Sequence, residues 1–263
     1  MTKSSIVIML TLIATLTSLA GVTGKEITYT ADSTTLKGYL AWNDKFSGKR
    51  PAVIVVPEWW GNNDYPRKRA EMLAGLGYVA FAVDMYGDGK IADNPTEAGA
   101  LAQSVMKNPD VMKARFLSAL ETLKNDPHVD ASRIGAIGYC FGGGVVLGMA
   151  RMGTDLKSVV SFHGSLATQN PAKKGEVKPT ILVCHGGADK FISADDVKKF
   201  KEEMKSADVK FKFVQYPGAT HAFTNPAATE IGKKFNMPIE YNKTADKESW
   251  AEMRKWFKST LDK

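Results

Sequence analysis

The stretch 133-RIGAIGYCFGGGVVLGMARM-152 decides how the chain folds. Its first seven residues form a short apolar run of the kind found in strands covered on both faces of a parallel sheet. From Gly142 to Met152 the apolar spacing becomes helical. Between the two, Cys140 is flanked by Gly138 and Gly142, giving G-x-C-x-G. A strand, a strained turn and a helix in this order make a nucleophile elbow, which presents one side chain at the edge of the sheet. The glycines are needed because the backbone approaches closely on both sides, where a side chain would clash.

Working outward, 52-AVIVVP-57, 78-YVAFAVD-84, 157-KSVVSFHG-164 and 179-PTILVCHG-186 are also short and continuously apolar. Helical patterns separate these runs, over residues 65–76, 97–107, 110–124 and 194–206. Alternating strands and helices predict an α/β fold with a doubly wound, mostly parallel sheet and helices on both faces. Near the start, 26-EITYTA-31 and 34-TTLKGYLAW-42 alternate apolar and polar residues and read as a hairpin turning at Asp32-Ser33. A strand over 209–217 and a helix over about 244–261 complete the pattern. Only a short polar loop separates Gly164 from Pro179, so no large cap domain is expected there.

Ligands of open parallel sheets bind beyond the carboxyl ends of the strands. An elbow nucleophile is followed in the chain by an acid and then a histidine. Asp189, after 179-PTILVCHG-186, and His221, after 209-VKFKFVQYP-217, fit that order and that placement. His163 and His185 also sit at strand ends, but neither follows the aspartate, and both are embedded in apolar runs and read as buried. His128 precedes a strand, at the opposite edge. No His or Cys pair has the short ligand spacing of a zinc site, and no metal or cofactor is expected.

The two cysteines, Cys140 and Cys184, could form one disulfide in an exported protein. At least one strand should lie between them, and two spacings of about 4.8 Å separate the backbones by roughly 10 Å, beyond the bridging limit of about 7 Å. Cys140 is therefore read as a free thiol and Cys184 as a small buried hydrophobe.

The 263 residues carry a formal net charge of +7. The lysines of 198-KKFKEEMK-205 are interleaved with acids, as on a solvated helix face, and no nucleic-acid module is present, so nucleic acid is not expected as a partner. The N-terminal residues have Lys3, an apolar run from Ile6 to about Ile13 and then small residues, which is a secretory leader pattern. Cleavage after Ala20 or after Gly24 suits it. The run is short of the roughly 20 residues that span a bilayer, so no stable membrane insertion is expected after cleavage. The expected organisation is a leader over 1–24, one domain over 25–263, and a secreted or periplasmic location.

Together 138-GYCFGG-143, 186-GGAD-189, 218-GATHAF-223 and 57-PEWWG-61 resemble the dienelactone hydrolase (carboxymethylenebutenolidase) family of α/β-hydrolases. The resemblance implies that Cys140 attacks an ester or lactone carbonyl, that His221 shuttles the proton and that Asp189 orients His221. It also implies that Glu58 approaches the resting thiol and controls its ionisation, and it suggests the backbone N–H groups of Trp59 and Phe141 as an oxyanion hole. In the dienelactone enzymes proper, one arginine after a D-x-Y motif and another after the catalytic histidine bind the substrate carboxylate. Here 84-DMYGDGK-90 and 221-HAFTN-225 contain none, and Lys90 offers no bidentate contact. Trp59, Trp60, Tyr86 and Phe223 suggest apolar pocket walls instead.

These readings point to a hydrolase of small carboxylic esters or lactones working through a cysteine acyl-enzyme. The alternatives are acyl transfer or peptide cleavage on the same triad, and a non-catalytic binding scaffold with an oxidised Cys140.

Overall fold

The computed structural model describes residues 21–262; residues 1–20 of the expected leader lie outside them. The strands are β1 (Val22–Ala31), β2 (Thr34–Asn43), β3 (Arg50–Val56), β4 (Val79–Ala82), β5 (Val129–Tyr139), β6 (Ser158–Phe162), β7 (Thr180–Gly186) and β8 (Phe211–Tyr216). Among the described residues they form one sheet in the order β1-β2-β4-β3-β5-β6-β7-β8. β2 pairs antiparallel with β1 and β4, and every other pair is parallel. The helices are α1 (Asp64–Gly75), α2 (Pro95–Met106), α3 (Pro109–Lys124), α4 (Phe141–Arg151), α5 (Ala194–Ser206), α6 (Ala228–Phe235) and α7 (Lys243–Thr260).

The continuous apolar runs are explained by two cores. Successive side chains of a strand point to opposite faces, so Ile54 and Val56 of β3 enter one core while Val53 and Val55 enter the other. The first core packs Phe116 and Leu120 of α3, Val146 of α4 and Phe200 of α5. The second packs Leu73 of α1 with Met253 and Phe257 of α7. Burying each such side chain contributes about 1.5–3 kcal/mol, which holds helices on both faces.

Helix starts follow local chemistry. Asn63 caps α1 by accepting the Tyr65 N–H, Asn94 caps α2 ahead of Pro95, and Ser193 with Asp196 closes a capping box on α5. The lysines of α5 lie on a solvated face, where Lys199 pairs with Asp195 at 2.7 Å.

Two strands start earlier than in the sequence reading. β1 starts at Val22 rather than Glu26, pairing there with Asn43. β5 starts at Val129 rather than Arg133, because Val129 pairs with Arg50 before the register shifts. The reading also omitted α6, whose eight residues are too few for a helical period to stand out. β6 lies between the strands of the two cysteines, with Phe162 opposite both Tyr139 and Cys184, and both thiols are free. Among the described residues, no helix is long and apolar enough to cross a membrane.

Candidate active site

Neighbouring parallel strands deliver the candidate residues to one edge. Glu58 follows β3, Cys140 follows β5, Asp189 follows β7 and His221 follows β8. Cys140 caps α4 with φ 53° and ψ −115°, a conformation a non-glycine residue adopts only under constraint. The constraint is legible in its glycines: a Cβ on Gly138 would strike the carbonyl of Gly142, and one on Gly142 would strike the carbonyl of Val56. The Gly142 N–H donates to the Pro57 carbonyl at 3.0 Å, tying the elbow to the end of β3.

Asp189 and His221 are joined. His221 Nδ1 lies 2.8 Å from Asp189 Oδ2, and the Phe191 N–H donates to Oδ1 at 2.8 Å. Both side chains are buried. Burial works against a charge on the His221 ring, yet the Cys140 sulfur and the Asp189 carboxylate beside it outweigh burial and lift the ring to about 10. Nδ1 is committed to Asp189, so Nε2 is the edge left for chemistry.

Glu58 is 3% exposed. Its Oε2 accepts a hydrogen bond from Asn225 Nδ2 at 2.6 Å, and its Oε1 is buried with no partner among the described residues. Among the described residues Glu58 makes no hydrogen bond to Cys140; the Asn225 amide holds its carboxyl group, and both residues line the same cavity. Burial pushes this carboxyl up to about 7, against the Asn225 bond and nearby His221. A carboxyl raised by folding stabilises the native state below its ordinary value and loses that contribution as pH rises through the folded value. Between about pH 4.5 and 7, wild type should lose as much as about 3 kcal/mol relative to Glu58→Gln. Thermal melts of both proteins across that window check it; parallel curves would contradict it.

Cys140, His221 and Glu58 line one cavity of about 360 Å³, walled by Trp59, Trp60, Met106, Ile192, Met237 and Ile239. It is covered by α2 and the segment after α6 rather than by a separate domain. The N–H groups of Trp59 and Phe141 have no acceptor among the described residues' hydrogen bonds. Two expected wall residues lie elsewhere. The Tyr86 hydroxyl donates to the Trp59 carbonyl at 2.9 Å and its ring packs on Phe141, so it props the wall from behind. Phe223 is fully buried in the second core against Tyr216 and His163. Lys90 faces outward, 4.0 Å from Asp88.

The other histidines sort by position. His128 pairs with Asp126 at 2.9 Å, stacks on Trp42 at the far edge and is exposed. His185 is buried against Phe213. His163 is fully buried and accepts the Cys140 N–H on Nδ1 at 3.1 Å. Its contact with the elbow, like those of Asn225 and Thr224, was missed from sequence. The sole sequence signal was the position of His163 at a strand end. Among the described residues no cluster of three His, Cys, Asp or Glu side chains could hold a metal.

Comparison with known proteins places this geometry in context. Residues 36–261 match the Dienelactone hydrolase family. Protein usf of Aquifex pyrophilus is 30% identical over 213 residues, covering 79% of this chain and 90% of that protein. The solved structure m3DLH shares 36% identity with a TM-score of 0.86, over 92% of this chain and 99% of the other. A dienelactone hydrolase-like promiscuous phosphotriesterase from metagenomic libraries shares 33% identity with a TM-score of 0.85, over 92% and 99%.

Proposed function

Because the chain belongs to the dienelactone hydrolase family, we propose that this hydrolase cleaves small neutral carboxylic esters or lactones through a thioester on Cys140. The observation that carries the proposal is a strained elbow cysteine and a histidine–aspartate pair opening into one apolar cavity. The Cys140 sulfur attacks the carbonyl carbon while its proton is held on His221 Nε2, on the ring that the sulfur and Asp189 keep charged. The carbonyl electrons move to oxygen, where the N–H groups of Trp59 and Phe141 would receive the charge. When the tetrahedral adduct collapses, the C–O bond breaks and His221 returns the proton to the leaving alkoxide. Water then attacks the thioester with His221 as base, releasing the acid and restoring the thiol. Asp189 holds Nδ1–H, leaving Nε2 free to accept. Glu58, held by Asn225, adds a group beside the thiol that changes charge near neutral pH.

The substrate class follows from the walls. Around the cavity stand tryptophan, methionine and isoleucine side chains, the Glu58 carboxyl and, among the described residues, no lysine or arginine. The charged His221 ring is already paired with Asp189 and the Cys140 sulfur. An anionic acyl group would therefore lose its hydration without gaining a free counter-ion, and would meet like charge once Glu58 ionises. We expect kcat/KM for p-nitrophenyl butyrate to exceed that for the p-nitrophenyl monoester of succinate by about 100-fold, roughly 3 kcal/mol. Met106→Arg, which adds a cation at the rim, should narrow the gap. Equal rates on the two esters would overturn the neutral-substrate reading.

We also propose export to the periplasm or the cell exterior, from the leader-like N-terminus. Val22, Thr23 and Gly24 pair with Asn43, Trp42 and Ala41, so cleavage after Ala20 would leave β1 whole, whereas cleavage after Gly24 would remove three paired residues. N-terminal sequencing of the exported protein distinguishes the two.

A further inference from the structure

Among the described residues, seven non-glycine residues have positive φ. Four are Asp32, Asp88, Asp208 and Asn236, types that tolerate the left-handed region. The other three are Cys140 (φ 53°), His163 (φ 40°) and Ala222 (φ 57°), on the nucleophile, the neighbouring strand end and the residue after His221. Such conformations cost about 1–3 kcal/mol each and persist only where the surroundings over-determine them.

One buried chain of hydrogen bonds joins Cys140 and His163 and reaches Thr224, on the loop that carries His221 and Ala222. The Cys140 N–H is shared between the Phe162 carbonyl at 3.0 Å and His163 Nδ1 at 3.1 Å. A backbone N–H can only donate, so Nδ1 is the lone-pair nitrogen and the ring proton is on Nε2. Nε2–H donates to Thr224 Oγ1 at 2.7 Å, and Thr224 lies two residues beyond Ala222. The Thr224 hydroxyl is also 2.7 Å from the Tyr65 hydroxyl. Arg69 in turn donates to Tyr65, to the Thr224 carbonyl at 2.6 Å and to Asp246 at 2.6 Å. Burial, together with the nearby His221 and Arg69, holds the His163 ring neutral. It therefore leaves His221 as the ring that takes up charge, 5.3 Å away between centroids.

We propose that His163 is a positioning residue whose two ring nitrogens clamp the Cys140 elbow to the loop carrying His221, with Thr224 as the loop-side anchor. This rests on Cys140 and His221 acting as proposed above. The nucleophile and its base come from loops after β5 and β8, with two strands between them. The clamp spans that gap directly, and its loss lets the two drift while the substrate walls stay in place. A misplacement of about 1 Å costs on the order of 100-fold in rate, so the effect should fall on kcat rather than KM.

The test uses p-nitrophenyl butyrate kinetics on the whole protein. Thr224→Val removes the hydroxyl at nearly constant shape; we expect kcat to fall about 10- to 100-fold with KM within about twofold. Thr224→Ser, which keeps the hydroxyl, should recover most of the rate. His163→Asn keeps an acceptor near the Cys140 N–H but cannot reach Thr224, and should fall alongside Thr224→Val. If both substitutions break one clamp, the double variant should be no slower than the slower single one. Circular dichroism and Tm identify any variant that fails to fold, in which case the other single variant decides. Wild-type kcat in a folded single variant, or losses that multiply in the double variant, would overturn the clamp. Activity that survives Cys140→Ala would instead overturn the reading on which it rests.

Discussion

Replacing Cys140 with Ala should lower kcat for p-nitrophenyl acetate by on the order of 10⁴ or more, because removing the nucleophile from a triad leaves only binding and oxyanion stabilisation. Stability should change by no more than about 1 kcal/mol. Cys140 forms no disulfide, and its backbone is held through its N–H by the Phe162 carbonyl and His163 Nδ1 rather than through its own side chain. A Tm near that of wild type beside a collapsed rate would separate chemistry from folding. Turnover at the wild-type rate would remove Cys140 from the mechanism.

Asp189→Asn should be nearly as damaging, for a reason visible in the hydrogen bonds. The Phe191 N–H donates to Oδ1, so an asparagine would keep its carbonyl oxygen there and turn its NH₂ toward His221. That amide would donate to Nδ1 and drive the ring proton onto Nε2, the edge facing Cys140. A ring carrying Nε2–H cannot take the thiol proton. We expect kcat to drop by about 10²–10⁴ with KM little changed, measured on the same ester. A loss confined to KM would place Asp189 in binding rather than in orienting the base.

Much of this was legible in the sequence because the physics is local. A strand covered on both faces must be apolar at every position, so 52–56, 134–139, 158–162 and 180–184 announced a parallel sheet. Ligands of such a sheet bind just past the runs, which is where the candidate residues Glu58, Cys140, Asp189 and His221 stand. Other contacts were not legible because they join distant segments. Asn225 reaches Glu58 across 167 residues, and His163 meets Thr224 across 61. No spacing rule predicts where an amide or hydroxyl one turn past a histidine will point. Tyr86 and Phe223 were misread as walls for a related reason. An aromatic ring at a strand end can face the cavity or the core, and here the Tyr86 hydroxyl is committed to Trp59 while Phe223 fills the space under His163. The cover formed by Met237 and Ile239 depends on α6, whose short period the sequence did not reveal.

The central claim is a covalent intermediate on one sulfur. Rapid quenching of wild type with p-nitrophenyl acetate, followed by intact mass and peptide mapping, tests it most directly. We predict one acetyl group on the peptide containing Cys140, appearing with the first turnover, disappearing as substrate is exhausted, and absent from Cys140→Ala. Turnover with no acyl group on the protein, or with the acyl group on another residue, would contradict it.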